Sequence, residues 1–181
     1  CPMQEGRQPM SRPRLVLTLG VATTLLAMQP AFAEDSLGEF RDWSARSYKE
    51  GGATVCNMFS KPTKDEGDYT QRGDIMAFIT HRPANKTWNV VAFDMGYPTR
   101  DGSAVIVEIG SDKFELFTKG QLAFSYPEDD SKIVAAMRKG STMIVRGTSS
   151  RGTATTDTYS LSGFTAASNA IDKACKAPAN S

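Results

Sequence analysis

Cysteine and histidine are scarce in this sequence. The chain has 181 residues, of which three are cysteine and one is histidine. The cysteines are Cys1, Cys56 and Cys175, and the histidine is His81. A structural zinc site needs four ligands, most of them cysteine or histidine, and a redox C-x-x-C motif needs two cysteines close together. The sequence therefore excludes a thiolate zinc site and a thioredoxin-like centre, and it predicts no metal or cofactor.

An excess of charge of one sign is also missing. Lys and Arg total 21 and Asp and Glu total 20, which gives a formal net charge of +1 at pH 7. The basic residues form no patch interleaved with aromatic residues, so nothing predicts a nucleic-acid partner. The longest apolar run, Leu15 to Met28, is shorter than the ~20 residues of a membrane-spanning helix. No transmembrane segment is therefore expected after it.

The sequence before residue 34 has the pattern of a secretory signal peptide. Two arginines precede the apolar run, and Ala31-Phe32-Ala33 places small residues three and one positions before Glu34. This arrangement predicts cleavage between Ala33 and Glu34. We therefore divide the chain into an N-terminal extension with a signal peptide, residues 1–33, and a single domain, residues 34–181. The domain is expected in the periplasm, with secretion or association with the outer surface as alternatives.

Two cysteines, Cys56 and Cys175, remain in the predicted exported domain. An even pair of cysteines in an oxidising compartment predicts a disulfide bond. The loop that it closes should contribute on the order of 4–5 kcal/mol to stability in the chain-entropy model. The alternative is a free reactive thiol, which the compartment disfavours.

Short runs of alternating apolar residues predict a mainly β domain. Gly51-Gly52 joins the first two runs as a hairpin turn. The run that starts at Asp74 is apolar on both faces, which predicts a central strand. The predicted strands are residues 43–49, 53–60, 74–80, 88–97, 103–109, 113–118, 121–126, 142–146 and 153–161, and residues 61–73 are predicted to form an exposed loop.

Two short helices are predicted late in the chain. The first begins at Pro127, carries acidic residues in its first turn and stops at Gly140. The second runs from Phe164 to Lys176, with Ser162 as its N-cap. Its predicted buried face comprises Phe164, Ala167, Ile171, Ala174 and Cys175. The expected fold is a β-sandwich-like domain of two packed sheets, with two short helices near the C-terminus.

Two short patterns carry candidate chemistry. Arg72-Gly73-Asp74 is a tripeptide that can engage integrins when a loop displays it, so it is a candidate adhesion motif. The alternative is an ordinary turn that leads into the next strand. The single histidine, His81, is a candidate general base, yet no nucleophile elbow or cysteine nucleophile accompanies it. A structural role is favoured for His81, and no catalytic residues are predicted.

Acidic clusters form two further patterns. Asp65, Glu66 and Asp68 lie close together beside a glycine, but they lack the spacing of an EF-hand calcium loop. Asp129-Asp130 is better explained by the start of a helix, where the helix dipole favours anions. Neither cluster predicts a metal site.

Four segments of the predicted domain form a distinctive combination. They are FRDWSARS at residues 40–47, MRKG at 137–140, STMIVRG at 141–147 and YSLSGFTAASNAID at 159–172. Behind a signal peptide, they resemble the invasion-associated locus B family of exported bacterial proteins over roughly residues 38–176. Ser47 stands where many relatives carry a cysteine, so the resemblance implies that an extra disulfide of the family is absent here.

The resemblance implies a periplasmic or surface-associated protein of alphaproteobacteria, of a family linked in its pathogenic members to entry into host cells. It supplies no catalytic residues. We expect a non-enzymatic cell-envelope protein that acts by binding a protein, an envelope component or a host surface. The alternative is an envelope enzyme whose site is not visible in the sequence. A deep pocket around His81 would favour the enzyme, whereas an exposed apolar patch would favour binding.

Overall fold

The computed structural model describes residues 34–178. The predicted extension and signal peptide, including Ala33, lie outside the described residues, and Glu34 is the first residue described. Within this range the chain forms eleven strands and two α-helices. The strands are β1 (Asp35–Phe40), β2 (Trp43–Glu50), β3 (Ala53–Ser60), β4 (Lys64–Gly67), β5 (Met76–Arg82), β6 (Thr87–Asp94), β7 (Val105–Ile109), β8 (Asp112–Lys119), β9 (Leu122–Phe124), β10 (Thr142–Thr148) and β11 (Ala154–Ser160), and the helices are α1 (Pro127–Lys139) and α2 (Phe164–Cys175).

The eleven strands of the described residues belong to one antiparallel sheet that folds over on itself. The order is β1-β2-β3-β5-β6-β9-β8-β7-β10-β11-β4. The fold-over lies at β8, since residues 112–116 pair with β7 and residues 117–119 pair with β9. We call β1 to β9 in this order the first half and β7 to β4 the second half. The mainly β fold with two late helices is confirmed, and the sandwich is one continuous sheet.

A core of buried apolar side chains fills the space between the two halves and the helices. The rings of Phe93 in β6 and Tyr159 in β11 lie 5.9 Å apart, measured between centroids. Trp43 is fully buried against Phe164 of α2, with 4.9 Å between ring centroids. Both helices contact the first half, α2 on β1, β2 and β3 and α1 on β6. The core residues of these strands alternate with outward-facing residues, as strand geometry requires.

Helix α1 begins and ends as predicted. Pro127 takes its first position, where a missing N–H costs nothing, and acidic residues fill the first turn. Gly140 ends the helix and donates its N–H to the Ala136 carbonyl at 2.9 Å. No helix within residues 34–178 has the length and apolar character that crossing a bilayer requires.

Helix α2 differs from the prediction at its start and on its buried face. Its N-cap is Gly163, at φ +89°, and Ser162 does not cap it. A Cβ at Gly163 would lie 1.7 Å from the carbonyl oxygen of Phe40, so this close approach requires glycine. Ala174 is exposed, and Ser168 takes its place among the buried residues. The prediction was wrong here because helical spacing alone does not fix where the buried face ends.

Two strands were not predicted from the sequence. β1 lies at one edge of the sheet, and its sequence DSLGEF lacks apolar alternation. β4 lies at the other edge, where KDEG is exposed throughout and pairs with β11. β4 therefore corrects the prediction of a loop over residues 61–73. Both strands form through backbone pairing with a neighbour, which leaves little hydrophobic pattern to read.

Candidate functional site

A row of mostly aromatic side chains crosses the outer face of the first half of the sheet. Four cross-strand pairs connect it in one line, Phe59–Phe78, Phe78–Ala92, Ala92–Phe124 and Phe124–Phe117. Residues directly opposite each other on paired strands project from the same face. The row spans five strands, and four intervals of ~4.8 Å give it a length of about 19 Å.

The end of this row at β8 and β9 is open to solvent. Phe117, Leu122 and Tyr126 have relative exposures of 39%, 36% and 40%, and they are the exposed large hydrophobic residues within 34–178. The Phe117 ring lies 5.7 Å from Phe124 and 5.2 Å from Tyr126, between centroids. The remaining row members are half-buried. We call the row, together with Leu122 and Tyr126, the aromatic face.

An arginine covers the other end of the aromatic face. The Arg46 Cζ atom lies 4.8 Å from the Phe59 ring centroid, a cation–π distance. Its Nη1 atom lies 3.1 Å from the Glu34 carboxylate. The Arg46 Nε atom and the Oδ1 atom of Asn57, the cross-strand partner of Arg46, are buried without a hydrogen-bond partner among the described residues. This end of the face is therefore polar, and Glu34 offsets the charge of Arg46.

The outer face of the second half has a different chemistry. Arg146 lies 3.2 Å from the Glu108 carboxylate and 2.9 Å from the Thr156 hydroxyl. Lys113 approaches the same carboxylate at 3.6 Å. We call these four side chains the ion-paired face. Ile144 also lies on this face, half-buried.

The aromatic face is a contiguous apolar patch that is open to solvent at one end. Single exposed apolar residues are ordinary, but a contiguous patch on an isolated chain marks an interaction site. The sequence contained one indication of this patch, because Met76 and Phe78 make β5 apolar on both faces. That pattern predicted a central position in the sheet, and the structure leaves both residues half-exposed on the outer face. The expected central position of β5 holds, with β3 and β6 as its neighbours.

Cys56 and Cys175 form a disulfide on the inner face of the first half. Their Cα atoms are 6.0 Å apart, and the bond closes a sequence separation of 119 residues. Cys56 lies in β3 and Cys175 is the last residue of α2. The bond therefore ties the end of the last helix to the first hairpin. Ser47 lies directly opposite Cys56 on β2.

His81 is enclosed beside this disulfide. It lies opposite Cys56 in the pairing of β3 with β5 and has no exposed surface. Its Nδ1 atom accepts the Asn89 backbone N–H at 3.0 Å, so the neutral ring carries its proton on Nε2. Nε2 lies 2.8 Å from the Asp172 carboxylate and donates to it. Both ring nitrogens are occupied, and the arrangement holds α2 against β5.

Arg138 extends this contact to the other helix. Its guanidinium donates to the Asp172 carboxylate at 2.8 Å and to the Ser168 hydroxyl at 2.6 Å. It also lies 2.8 Å from the Asn169 side-chain oxygen. Asp172 thus bridges His81 and Arg138, and α1, α2 and β5 meet at one carboxylate. Sequence reasoning missed Asp172, because nothing in a helical pattern distinguishes it from a solvated acidic residue.

Asp130 is a second acidic residue that links secondary-structure elements. As predicted, it belongs to the first turn of α1 together with Glu128 and Asp129, and Asp129 pairs with Lys132 at 2.7 Å. Asp130 is buried and accepts the Val91 backbone N–H at 3.1 Å and the Ser125 hydroxyl. Burial raises the pKa of the Asp130 carboxyl above its ordinary value, while these hydrogen bonds oppose the shift. The residue joins α1 to β6.

The tripeptide Arg72-Gly73-Asp74 is not displayed as a unit. The Arg72 guanidinium binds both oxygens of Asp157, at 2.6 and 2.7 Å, and these side chains are 4% and 1% exposed. Gly73 donates its N–H to the Gly96 carbonyl at 2.8 Å. Only the Asp74 side chain, 86% exposed, projects into solvent. Adhesion through this motif gains no support from the geometry, because its arginine is enclosed.

The acidic residues of the predicted loop are placed separately. Glu66 pairs with Lys64 at 2.8 Å, and Asp65 accepts a hydrogen bond from the Tyr69 hydroxyl. Within residues 34–178, no three side chains of the types His, Cys, Asp and Glu are grouped in a way that could hold a metal ion.

Comparison with known proteins identifies the family. Residues 43–172 match the family model described as invasion associated locus B (IalB) protein. This chain belongs to the invasion associated locus B family. Its fold is similar to the crystal structure of invasion associated protein B from Bartonella henselae, with a TM-score of 0.56 and 17% sequence identity, over 77% of this chain and 96% of that chain. None of the curated proteins matches this chain.

The part that matches the invasion associated locus B family includes every residue of the aromatic face. It also includes Cys56, His81 and Asp172, whereas Cys175 lies beyond its end. The match therefore covers the framework that holds α2 in place, except for one half of the disulfide.

Proposed function

We propose that this chain is a non-enzymatic, exported cell-envelope protein that binds another protein through the aromatic face. Export to the periplasm, with release or surface attachment as further steps, is supported by the signal-peptide pattern and by the disulfide, a bond typical of oxidising compartments. The partner is a protein of the envelope or of a host-cell surface. A part in host-cell invasion is the extension of this proposal that the family name suggests.

The observation that carries the proposal is the aromatic row. A strand that faces water ordinarily alternates apolar and polar residues, yet Phe59, Phe78 and Phe124 all point outward at the same level. Phe and Tyr side chains at the centre of a protein interface supply large, rigid contact areas and often dominate its energetics. A patch about 19 Å long is sufficient for one such anchor region.

The enzyme alternative has less support. His81 lies in the core with both ring nitrogens engaged, so it offers no lone pair to a substrate. Asp130 has a raised pKa, which is typical of some catalytic acids, but its carboxylate is buried among Val91, Ser125 and the first turn of α1. A binding role for the aromatic face requires neither group to reach solvent.

Site-specific photocrosslinking tests the proposal in intact cells. A benzophenone amino acid replaces Phe117 on the aromatic face, and in a matched strain it replaces Arg146 on the ion-paired face. We expect discrete protein adducts from position 117 and none of the same mass from position 146. A second substitution, Phe124→Glu, should remove the adducts, because a buried carboxylate without a partner opposes binding.

Three results would contradict the proposal. One is equal crosslinking from both faces. Another is crosslinking that persists unchanged with Phe124→Glu while the thermal unfolding of the variant matches that of the parent. The third is the absence of adducts at position 117 in both bacterial cells and co-cultured host cells.

A further inference from the structure

A surface cleft of about 1000 Å³ lies away from the aromatic face. One wall is the segment of residues 68–73, the other is the turn of residues 149–153 and the back is formed by residues 96–98. This volume is at the upper end of the range for small-molecule sites, ~300–1,000 Å³. The cleft includes Arg72 and Gly73 of the tripeptide that the proposed function leaves without a role.

The back of the cleft is built around a fixed arginine. Besides its two bonds to Asp157, Arg72 donates from Nε to the Met95 carbonyl at 2.8 Å. Its Cζ atom lies 4.9 Å from the Tyr97 ring centroid and 5.4 Å from that of Tyr69. The Tyr97 hydroxyl lies 2.5 Å from the Thr155 hydroxyl. Two tyrosine rings therefore lie close to one planar guanidinium, and both tyrosines are half-buried at the cleft surface.

The walls are also fixed by hydrogen bonds. Ser149 accepts the Thr153 N–H on its hydroxyl at 3.1 Å, which closes the turn. Ser150 donates its N–H to the Pro98 carbonyl at 2.8 Å, which ties that turn to the back of the cleft. Gly96 is held against Gly73, since a Cβ at Gly96 would lie 2.7 Å from the Gly73 oxygen. A site whose walls are already ordered loses little conformational entropy when a ligand binds.

The polar groups of the lining suit a neutral ligand rich in hydroxyls. Seven of the lining side chains carry a hydroxyl themselves: Tyr69, Thr70, Tyr97, Ser149, Ser150, Thr153 and Thr155. Asp157 compensates the charge of Arg72, and the two other charged lining residues, Asp68 and Arg151, have opposite signs. Within residues 34–178, the side chains of Thr70, Gln71 and Arg151 take part in no hydrogen bond or ion pair, so they are available to a ligand.

We infer that this cleft binds a neutral oligosaccharide. A pyranose ring has an apolar face of C–H groups, which packs on an aromatic ring, and a rim of hydroxyls, which hydrogen-bond to polar side chains. The tyrosines supply the first contact, and the free side chains of Thr70, Gln71 and Arg151 supply the second. Tyrosine with small hydroxyl-bearing residues is also the combination that antibody paratopes use for adaptable polar recognition. A polyanion is disfavoured because Asp68 offsets the free charge of Arg151.

Saturation-transfer NMR and calorimetry on the exported protein test this inference. The neutral probes are N,N′,N″-triacetylchitotriose and maltotriose, and a sulfated heparin disaccharide serves as the anionic probe. We expect saturable binding of at least one neutral sugar. Tyr69→Ala should weaken it by about tenfold or more, the usual effect of removing a central aromatic contact. Arg151→Ala, in an exposed turn, should weaken it severalfold without affecting folding.

Tyr126→Ala on the aromatic face is the matched control and should leave sugar binding unchanged. The inference is overturned if neither neutral sugar binds, or if the sulfated disaccharide binds more tightly than both. It is also overturned if sugar binding is equally strong in folded Tyr69→Ala and Arg151→Ala proteins, or equally weakened by Tyr126→Ala. These readouts are separate from photocrosslinking at Phe117, so failure here leaves the protein-binding proposal standing, and the reverse also holds.

Discussion

The two outer faces of the folded sheet differ in chemistry although they meet along one strand. Within β8, Phe117 belongs to the aromatic face and Lys113 to the ion-paired face. On one side, mostly aromatic side chains lie opposite one another from strand to strand, and the Phe117 and Phe124 rings stack. On the other, Arg146, Glu108 and Thr156 satisfy one another across three strands. Both faces point away from the core, so the fold itself demands neither pattern.

This difference distinguishes surface residues that help to maintain the folded, soluble protein from surface residues that the fold does not require. Cross-strand ion pairs and threonines keep an outer face soluble. A row of phenylalanines in the same setting lowers solubility and adds little that the core does not already supply. Under the proposed function, its presence on only one half marks the surface that contacts the partner. The comparison also predicts where substitutions should affect stability and where they should affect binding alone.

The largest expected effect concerns the buried ion pair between Arg72, in the segment before β5, and Asp157 in β11. Asp157→Ala leaves the Arg72 guanidinium enclosed without a counter-charge, and removing one partner of a buried pair costs about 3–5 kcal/mol. We expect this loss in the free energy of unfolding, measured by urea denaturation. The exposed ion pairs of the second half should contribute less to stability than this buried pair. The contrast shows how far burial, and not charge pairing alone, determines the effect.

Asp74→Ala is the matched control for Asp157→Ala. Asp74 belongs to the same tripeptide as Arg72, but its side chain is 86% exposed and 3.9 Å from Lys61. The change should alter stability by no more than about 0.5 kcal/mol. Equal destabilisation by the two substitutions would show that burial of the Arg72–Asp157 pair does not cause the stability loss in Asp157→Ala.

The second effect concerns the inner side of the first half. Cys175→Ser removes the bond between α2 and β3 and should cost about 2–5 kcal/mol, as for a native disulfide in a small secreted domain. Hydrogen exchange should accelerate first in α2, because a helix of this length is marginal without its attachments. The Asp172 contacts with His81 and Arg138 remain in the variant. We expect the helix to loosen before the sheet does.

Peptide mapping without reductant provides the check on Cys175→Ser. The parent protein should yield one linked pair that contains Cys56 and Cys175. Free thiols at both positions in freshly isolated protein would refute the bond, as would a variant with unaltered stability and exchange.

The smallest effects on stability are expected on the outer faces. Arg146→Ala breaks an exposed ion pair, and such pairs contribute about 0–1 kcal/mol. Phe117→Ser removes a side chain that is already 39% exposed, and we expect a similarly small change of roughly 1 kcal/mol or less. Only Phe117→Ser should reduce the binding of an apolar fluorescent dye such as ANS. If Arg146→Ala changed dye binding more than Phe117→Ser did, the result would contradict the distinction between the two faces.

Much of the framework could be predicted from local sequence. The hairpin at Gly51-Gly52 and the start and stop of α1 are encoded by residues within a few positions of the feature. The pairing of Cys56 with Cys175 followed from compartment and number, because the predicted exported domain contains one pair. These inferences needed no knowledge of how distant strands are arranged.

The candidate sites could not be predicted in the same way. Phe59 and Phe117 belong to one surface only because four successive strand registers align them, and a shift of one residue in any register would turn the later members inward. The cleft likewise joins Tyr69 to Arg151 through the pairing of β4 with β11. In the sequence, Asp157 is one polar residue in a threonine-rich strand, and only the fold shows that it pairs with Arg72.

The position of β4 in the sheet has a consequence for the order in which the protein is made. A chain that leaves the ribosome, or enters the periplasm, with its N-terminus first delivers β4 long before its neighbour β11. Trp43 likewise forms its hydrogen bond only when the Ser160 carbonyl is present, and Cys56 forms its disulfide only when Cys175 is present. Contacts so distant in sequence make folding slow. Under the proposed export, β4, Trp43 and Cys56 therefore lack these partners until residues 154–175 have followed, so the chain can cross a translocation channel before these contacts form.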